Sequence, residues 1–320
     1  MTTEKRRALV TGGAGFIGST VADAFLADGH DVTVLDNLAS GKRDQVPAKA
    51  RFVEADIRSP EAAACIRDGA FDVVCHLAAQ IDVRKSVTDP AYDVDVNIGG
   101  SVNLMQAVHS TGRRTRMIFA STGGAVYGDF VEPPNIETYQ KDPESPYGIA
   151  KFATELYLAY YARVHGLDYV ALRFANVFGP RQDPHGEAGV VAIFCQRIID
   201  GKALTVFGDG GQTRDYVYVG DVARAHVLAS KLAPIPPGRV DDRAFNLGTE
   251  RETSVVELAT TLMKAAGKDV PLSHAPARAG EQRRSVVSIA KAAKGLGWKP
   301  EVGLEDGLRR TYEWFSNRSR

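Results

Sequence analysis

Two side chains one helical turn apart, Tyr147 and Lys151, carry the chemistry that the rest of the chain has to position. They stand at i and i+4 in Ser145-Pro146-Tyr147-Gly148-Ile149-Ala150-Lys151, the opening of a helical pattern that runs to Val164, so they share one face. A lysine ammonium beside a phenol stabilises the phenolate. That draws the tyrosine's ordinary pKa of about 10 toward working pH and makes it a usable general base. Upstream, the apolar run Arg116 to Ala120 reads as a strand that ends in Ser121-Thr122-Gly123-Gly124. A hydroxyl at the carboxyl end of such a strand is placed to hydrogen-bond a substrate oxygen beside the tyrosine, and both Ser121 and Thr122 offer one.

Positioning falls to a nucleotide-binding frame at the start of the chain. The buried-strand run Ala8 to Val10 breaks into a turn with Gly12, Gly15 and Gly18, and a helical pattern carries on from Phe16 and Ile17 to Gly29. The helix start presents unpaired N–H groups and a positive dipole end to a pyrophosphate. Gly12 permits the turn, Gly15 the close approach of backbone to phosphate, and Gly18 the packing of helix on strand. A second strand, Asp31 to Leu35, ends at Asp36, where a carboxylate accepts hydrogen bonds from the ribose hydroxyls and repels a 2′-phosphate. NAD is therefore expected over NADP. Asn37, Ser40 and Gly41 belong to a polar loop suited to the adenosine end, and Asp56-Ile57, after the strand Arg51 to Glu54, meets the adenine edge. The strand Phe71 to Leu77 opens into Ala78-Ala79-Gln80, small enough for a flat cofactor to lie against the backbone. A long helix is expected from Asp89-Pro90 through Asn97 to Ser110. Short apolar strands alternating with helices predict an α/β fold, a Rossmann-like doubly wound parallel sheet, with a smaller, mostly helical C-terminal lobe. The expected division is residues 1–175 for the dinucleotide and 176–320 for the substrate, with the chain crossing back between lobes.

Composition narrows the partners. In 320 residues Lys+Arg and Asp+Glu both number 39, which offers no global charge for nucleic acid or an anionic membrane. Cys65, Cys75 and Cys195 are scattered, with neither disulfide nor metal-ligand spacing, as expected in a reducing compartment. No apolar run reaches membrane-spanning length, and the first strand follows Met1 so closely that a signal peptide is not expected. A cytoplasmic protein is the expectation.

The glycine triplet, Asp36, Asp56-Ile57, Leu77-Ala78-Ala79, Asn97, Ser121-Thr122, Tyr147-x-x-x-Lys151 and Leu172-Arg173-Phe174-Ala175-Asn176-Val177-Phe178-Gly179 follow one another in order. Together they resemble the extended short-chain dehydrogenase/reductases of the NAD-dependent sugar epimerase/dehydratase family, over essentially the whole chain. The segments Gly179 to Val191 and Gly208 to Ala223 resemble the bacterial UDP-glucose 4-epimerases within it. The resemblance implies a tightly held NAD contacted also by Asn97, Ser121, Ala175 and Lys151, and a UDP-sugar epimerised through a 4-keto intermediate. It implies Tyr147 as base and Lys151 as its partner. Counted back from Tyr147, the family's active hydroxyl falls on Thr122, with Ser121 as fallback. Alignment on Val126-Tyr127-Gly128 would place it on Gly123, which has none. For the substrate the resemblance implies Asn176, Val190 and Val191, Thr205 and Phe207 near the uracil, Arg214 and Arg278 on the diphosphate, and Ser285 beside the sugar's C2 substituent. It also implies a homodimer built on helices starting near Asp89 and Tyr147. Thr122-Gly123-Gly124 lacks the acid pair of a 4,6-dehydratase. The alternatives are a UDP-N-acetylglucosamine or UDP-glucuronate 4-epimerase, a UDP-glucuronate decarboxylase and, in another class, a non-catalytic NAD-binding regulator.

Overall fold

Apolar strands too short to stand alone line up side by side, and their order decides where a ligand can bind. The structure, a computed structural model, describes residues 5–185, 189–277 and 282–318. The strands are β1 (Arg7–Thr11), β2 (Asp31–Asp36), β3 (Arg51–Glu54), β4 (Val73–His76), β5 (Arg116–Thr122), β6 (Asp168–Phe174) and β7 (Asn176–Phe178). After them come β8 (Leu204–Phe207), β9 (Thr213–Arg214), β10 (Tyr216–Tyr218), β11 (Ala244–Leu247), β12 (Thr253–Ser254), β13 (Leu272–Ala275) and β14 (Arg284–Ser285). Seven form one sheet in the order β3-β2-β1-β4-β5-β6-β11, and every pairing in it is parallel. The order reverses between β1 and β4. That is the switch point at which open parallel sheets bind ligands beyond their carboxyl ends.

The helices are α1 (Phe16–Ala27), α2 (Pro60–Gly69), α3 (Val83–Thr88), α4 (Pro90–Val94), α5 (Ser101–Ser110) and α6 (Pro146–His165). Then follow α7 (Val190–Ile199), α8 (Val219–Lys231), α9 (Val255–Ala266), α10 (Ala290–Gly295) and α11 (Leu304–Arg318). Side chains alternate across the strands. Val10, Val34, Ile118 and Leu172 bury one sheet face with Val21 and Phe25 of α1 and Val222 of α8. Leu9, Leu35, Val74 and Phe119 bury the other with Ile66, Leu104 and Leu158 of α2, α5 and α6. A separate core of Phe194, Leu204, Leu258, Leu308 and Phe315 holds α7, α9 and α11 together, as the sequence predicts for a helical C-terminal region.

Local signals set the starts of the helices. Ser59 caps α2, its hydroxyl accepting from Ala62 N–H, and Ser145 caps α6 by accepting from Gly148 N–H, each with proline at the next position. The long helix expected from Asp89 to Ser110 is interrupted. Residues Asp95–Gly100 form a π-helical turn between α4 and α5, and the Asn97 carbonyl there accepts the hydroxyls of Ser101 and Thr154 at 2.5 and 3.1 Å. Such wide turns collect at functional sites.

Candidate active site

The carboxyl ends of β1, β2, β4, β5 and β6 open into a cleft of about 580 Å³. At its floor Gly12 has φ +70, and a Cβ there would lie 2.6 Å from the Ala78 nitrogen. A Cβ on Gly18 would lie 2.1 Å from the Gly12 carbonyl oxygen, so helix and turn touch through glycine alone. Gly15 is the N-cap of α1 and offers no side-chain cap to the first-turn N–H groups. Asp36 is buried, its carboxylate accepting from Ala14 N–H at 3.0 Å and Leu38 N–H at 2.8 Å. Burial raises its pKa and those two hydrogen bonds oppose the rise. A Cβ on Gly41 would stand 3.0 Å from Asp36 Oδ1 and 2.9 Å from the Ala14 methyl, so this wall also requires glycine. Asp56 is gripped by the Arg58 guanidinium and by Asn37 Nδ2, which hold its carboxyl well below the usual range. An anion cradle at one end and a fixed carboxylate at the other fit a dinucleotide.

Gly12, Gly15, Phe16, Ile17, Gly18, Asp36, Asn37, Ser40, Gly41, Asp56, Ile57, Leu77, Ala78, Ala79, Gln80, Ser121, Tyr147, Lys151 and Ala175 all line the cleft, as does Thr122. Asn97 stands behind the wall. Its Oδ1 accepts from Gln80 N–H at 2.8 Å and its Nδ2 donates to the Gln80 carbonyl at 2.9 Å, so it fixes Gln80. Three cations that the sequence reading left unassigned, Lys42, Lys85 and Arg181, also line it. Lys42 closes the polar loop after β2, the available signal. Arg181 holds φ +74 and pairs with Asp23 at 2.7 Å, features that become visible in three dimensions.

Where β5 ends against α6, the two candidate hydroxyls part company. The Ser121 hydroxyl is buried and donates to Glu155 Oε1 at 2.5 Å. Glu155 in turn holds the fully buried Arg173 guanidinium, which also donates to Tyr127 Oη and Asp241. Thr122 is half-buried at the end of β5. A Cβ on Gly123 would meet Val287 at 2.8 Å, so position 123 points away from open space.

In this geometry burial outweighs the expected depression of the Tyr147 pKa by Lys151. Lys151 Nζ donates to the Ala120 carbonyl at 2.9 Å and lies 5.8 Å from the Tyr147 ring centre. Tyr147 is half-buried in the cleft wall; desolvation pushes its phenol up, and the Asp93 carboxylate pushes it further. Burial brings Lys151 down to about 8, against the opposing pull of Asp93 and Glu155.

The described residues among those expected on the substrate side lie outside this cleft, on the C-terminal elements. Asn176 begins β7, and Val190 opens α7 with Val191 buried behind it. Thr205 and Phe207 sit on β8, and Ser285 on β14 pairs with Arg214 on β9. Arg214 donates to the Thr213 carbonyl at 2.8 Å. Arg278, with the Arg-x-Gly-Glu motif it opens, lies outside the described residues, as do residues 186–188. Three of the expected residues converge. Around the point where a Cβ on Gly124 would sit stand Ser285 Oγ at 3.8 Å and Asn176 Oδ1 and Thr122 Oγ1 at 3.9 Å each.

Known proteins share this fold. Residues 8–248 match the model of the NAD dependent epimerase/dehydratase family. A UDP-glucose 4-epimerase of Mycolicibacterium smegmatis is 44% identical over 98% of this chain and 99% of its own length. The structure superposes on UDP-glucose 4-epimerase of Thermotoga maritima, determined with UDP-glucose, at TM-score 0.93 and 46% identity, covering 98% of this chain and 100% of that one. The Thermus thermophilus UDP-glucose 4-epimerase, determined with NAD, gives TM-score 0.89 and 45% identity over 97% and 98%. On a family model matched over residues 8–248 and relatives alike over nearly its whole length, this chain belongs to the NAD-dependent epimerase/dehydratase family.

Proposed function

We propose that the protein is a UDP-glucose 4-epimerase that interconverts UDP-glucose and UDP-galactose with NAD retained in the site. The observation that carries the reading is that Thr122, Tyr147 and Lys151 stand on the walls of the same cleft as the glycine cradle and Asp36. When bound, NAD supplies an oxidised ring that takes hydride from the sugar's C4 and returns it to the opposite face of the 4-keto sugar. Tyr147 Oη takes the proton of the 4-hydroxyl and gives it back, a role that contributes roughly 10²–10⁴-fold. Thr122 Oγ1 hydrogen-bonds the 4-oxygen, and the Lys151 ammonium offsets the charge of the phenolate from which Tyr147 acts, which the transferred proton turns into phenol. Asp36 takes the adenosine ribose and Asn97 holds Gln80 in place. Asn176, the Val190-Val191 backbone, Thr205, Phe207, Arg214 and Arg278 take the nucleotide sugar, the arginine forks suiting its diphosphate.

In this reading residues 1–175 form the NAD lobe and 176–320 the sugar lobe, with β11 returning to complete the sheet. The protein works as a cytoplasmic homodimer. Among the described residues no helix is long and apolar enough to cross a membrane. On α6, Phe152 packs partly inward, whereas Leu156 and Tyr160 are 47% and 45% exposed beside exposed Ile149 and Val164. Val87 and Val94 of α3 and α4 add to this apolar face, which suits a second copy. Incubating the purified protein with UDP-galactose and following the sugar's C4 proton by NMR tests the activity. Accumulation of UDP-glucose without added NAD is expected, and an unchanged spectrum refutes the reading.

A further inference from the structure

Behind Tyr147 and Lys151 lies a buried carboxylate to which the reaction above gives no task. Asp93, on α4, is 0% exposed. Its Oδ1 accepts from Gln80 Nε2 at 2.9 Å and from Asn97 Nδ2 at 3.0 Å. Its Oδ2 is equally buried and has no hydrogen-bond partner. Helix α4 packs on α3 and on α6, the helix of Tyr147 and Lys151, and Ser86 of α3 accepts the Tyr147 N–H at 3.3 Å. Asp93 is thus enclosed between the wall of the cleft, through Gln80, and the helix that carries the base.

Lys151 needs a negative partner there. Its ammonium has three protons to place, is 4% exposed, and donates to the Ala120 carbonyl with the ring of Phe119 4.9 Å away. Two carboxylates act on it, Asp93 and Glu155. Both oxygens of Glu155 are engaged by Arg173, and one also by Ser121. Asp93 keeps an oxygen uncommitted. Resting on the epimerase reading, we propose that Asp93 is a positioning residue: it is the counter-charge that keeps Lys151 an ammonium in the buried site, and it clamps the Gln80 wall.

The groups that bear on the pair can be named. Asp93 from α4, Glu155 from α6 and His76 from β4 lie within electrostatic reach of Lys151, with His76 driven neutral by burial and by Lys151 itself. Asp93 and Lys151 face Tyr147, and Lys85 of α3 shares its cleft. A negative charge favours an ammonium and disfavours a phenolate, so Asp93 raises the pKa of both groups. Neutralising it moves both the same way.

In the NAD-loaded protein, Asp93→Asn is therefore expected to shift both limbs of the kcat–pH profile for UDP-galactose to lower pH, by on the order of one unit. Asp93→Glu, which keeps the charge, restores the parental limbs. Asn97→Ser loosens the clamp and lowers NAD retention severalfold while the limbs stay in place. An ultraviolet difference titration of the phenol, taking each protein against its own Tyr147→Phe derivative, reads the same shift without turnover. That titration decides the matter: a phenol that ionises at the parental pH in Asp93→Asn overturns the proposal. Should the asparagine variant not fold, Asp93→Ser serves, and Asp93→Glu titrating at lower pH than the parent also overturns it. A parent that turns over no UDP-hexose sinks the epimerase reading instead, and the phenol titration still judges Asp93.

Discussion

Replacing Glu155 with glutamine keeps the shape of the side chain and removes its charge, leaving the Arg173 guanidinium without its main partner. Both side chains are 0% exposed, and Nη2 meets Oε2 at 2.6 Å while Nε meets Oε1 at 3.0 Å. Removing one member of a buried pair costs about 3–5 kcal/mol, because the other charge stays desolvated. Asp241, 18% exposed, still reaches Arg173 at 2.9 Å, which puts the loss near the lower end, about 3 kcal/mol. In a chain of this size each kcal/mol is worth about 2 °C, so Tm should fall by about 6 °C. Circular dichroism melts at one fixed NAD concentration measure it, since bound ligand itself raises Tm. The exposed pairs of Arg309 with Asp306 and Glu313 provide the control, and Arg309→Ala should leave Tm within error. A Glu155→Gln protein melting within about 1 °C of the parent would refute the idea that this pair anchors β6 to α6.

Three other outcomes follow from the site and the core. Tyr147→Phe should lower kcat by roughly 10²–10⁴-fold with NAD content and nucleotide-sugar affinity preserved, as read by steady-state kinetics and calorimetry; near-parental turnover would reject Tyr147 as the base. Asp36→Asn should weaken NAD and narrow the preference over NADP, measured by titrating released-cofactor protein with each; equal affinities in the parent would reject the ribose contact. His226 is buried, donates from Nδ1 to the Val222 carbonyl, and is lowered from 6.5 to about 4 chiefly by burial. The unfolded chain then binds its proton first, so stability falls as pH drops from 6.5 toward 4. His226→Leu should flatten that part of the Tm–pH curve, and an unchanged slope would show that the acid sensitivity arises elsewhere, His76 being the next candidate.

What could be read from the sequence, and what could not, divides along physical lines. Strand periodicity, the glycine triplet and the capped helix at Ser145 are local signals, and they placed the cradle, Asp36 and the Tyr147–Lys151 pair in one cleft. The seventh strand, β11, was not legible, because Ala244–Leu247 is too short to declare itself before it pairs with β6. Nor was the electrostatics. From i, i+4 spacing the lysine looked like the dominant influence on the tyrosine, yet burial and Asp93 outweigh it, and neither is a property of local sequence. Nor was the engagement of Ser121 by Glu155, which meets it from 34 positions away.

Substrate range turns on a space that the sequence hints at and the structure outlines. The family resemblance places Ser285 beside the sugar's C2 substituent, where a tyrosine confines the site to plain hexoses. Ser285 is 3% exposed on β14, its hydroxyl 3.8 Å from the point a Gly124 Cβ would occupy, with Asn176 Oδ1 and Thr122 Oγ1 at 3.9 Å from the same point. Gly124 has an ordinary φ, and a Cβ there makes contacts no closer than 3.8 Å, so the backbone has no need of glycine at this position. Two small residues and two polar atoms, Ser285 Oγ and Asn176 Oδ1, therefore stand next to the proposed active hydroxyl. An acetamido group, with one donor and one acceptor, finds partners there. The parent is expected to epimerise UDP-N-acetylglucosamine as well as UDP-glucose. A phenol ring at position 285 fills this space, and forcing a group into filled space costs about 1–3 kcal/mol, equivalent to roughly 5–150-fold. Ser285→Tyr should lose that much kcat/KM on the acetylated sugar while UDP-glucose changes by less than about threefold. A parent inactive on UDP-N-acetylglucosamine, or a tyrosine variant that loses both activities equally, would mean that the space around Gly124 does not receive the C2 substituent.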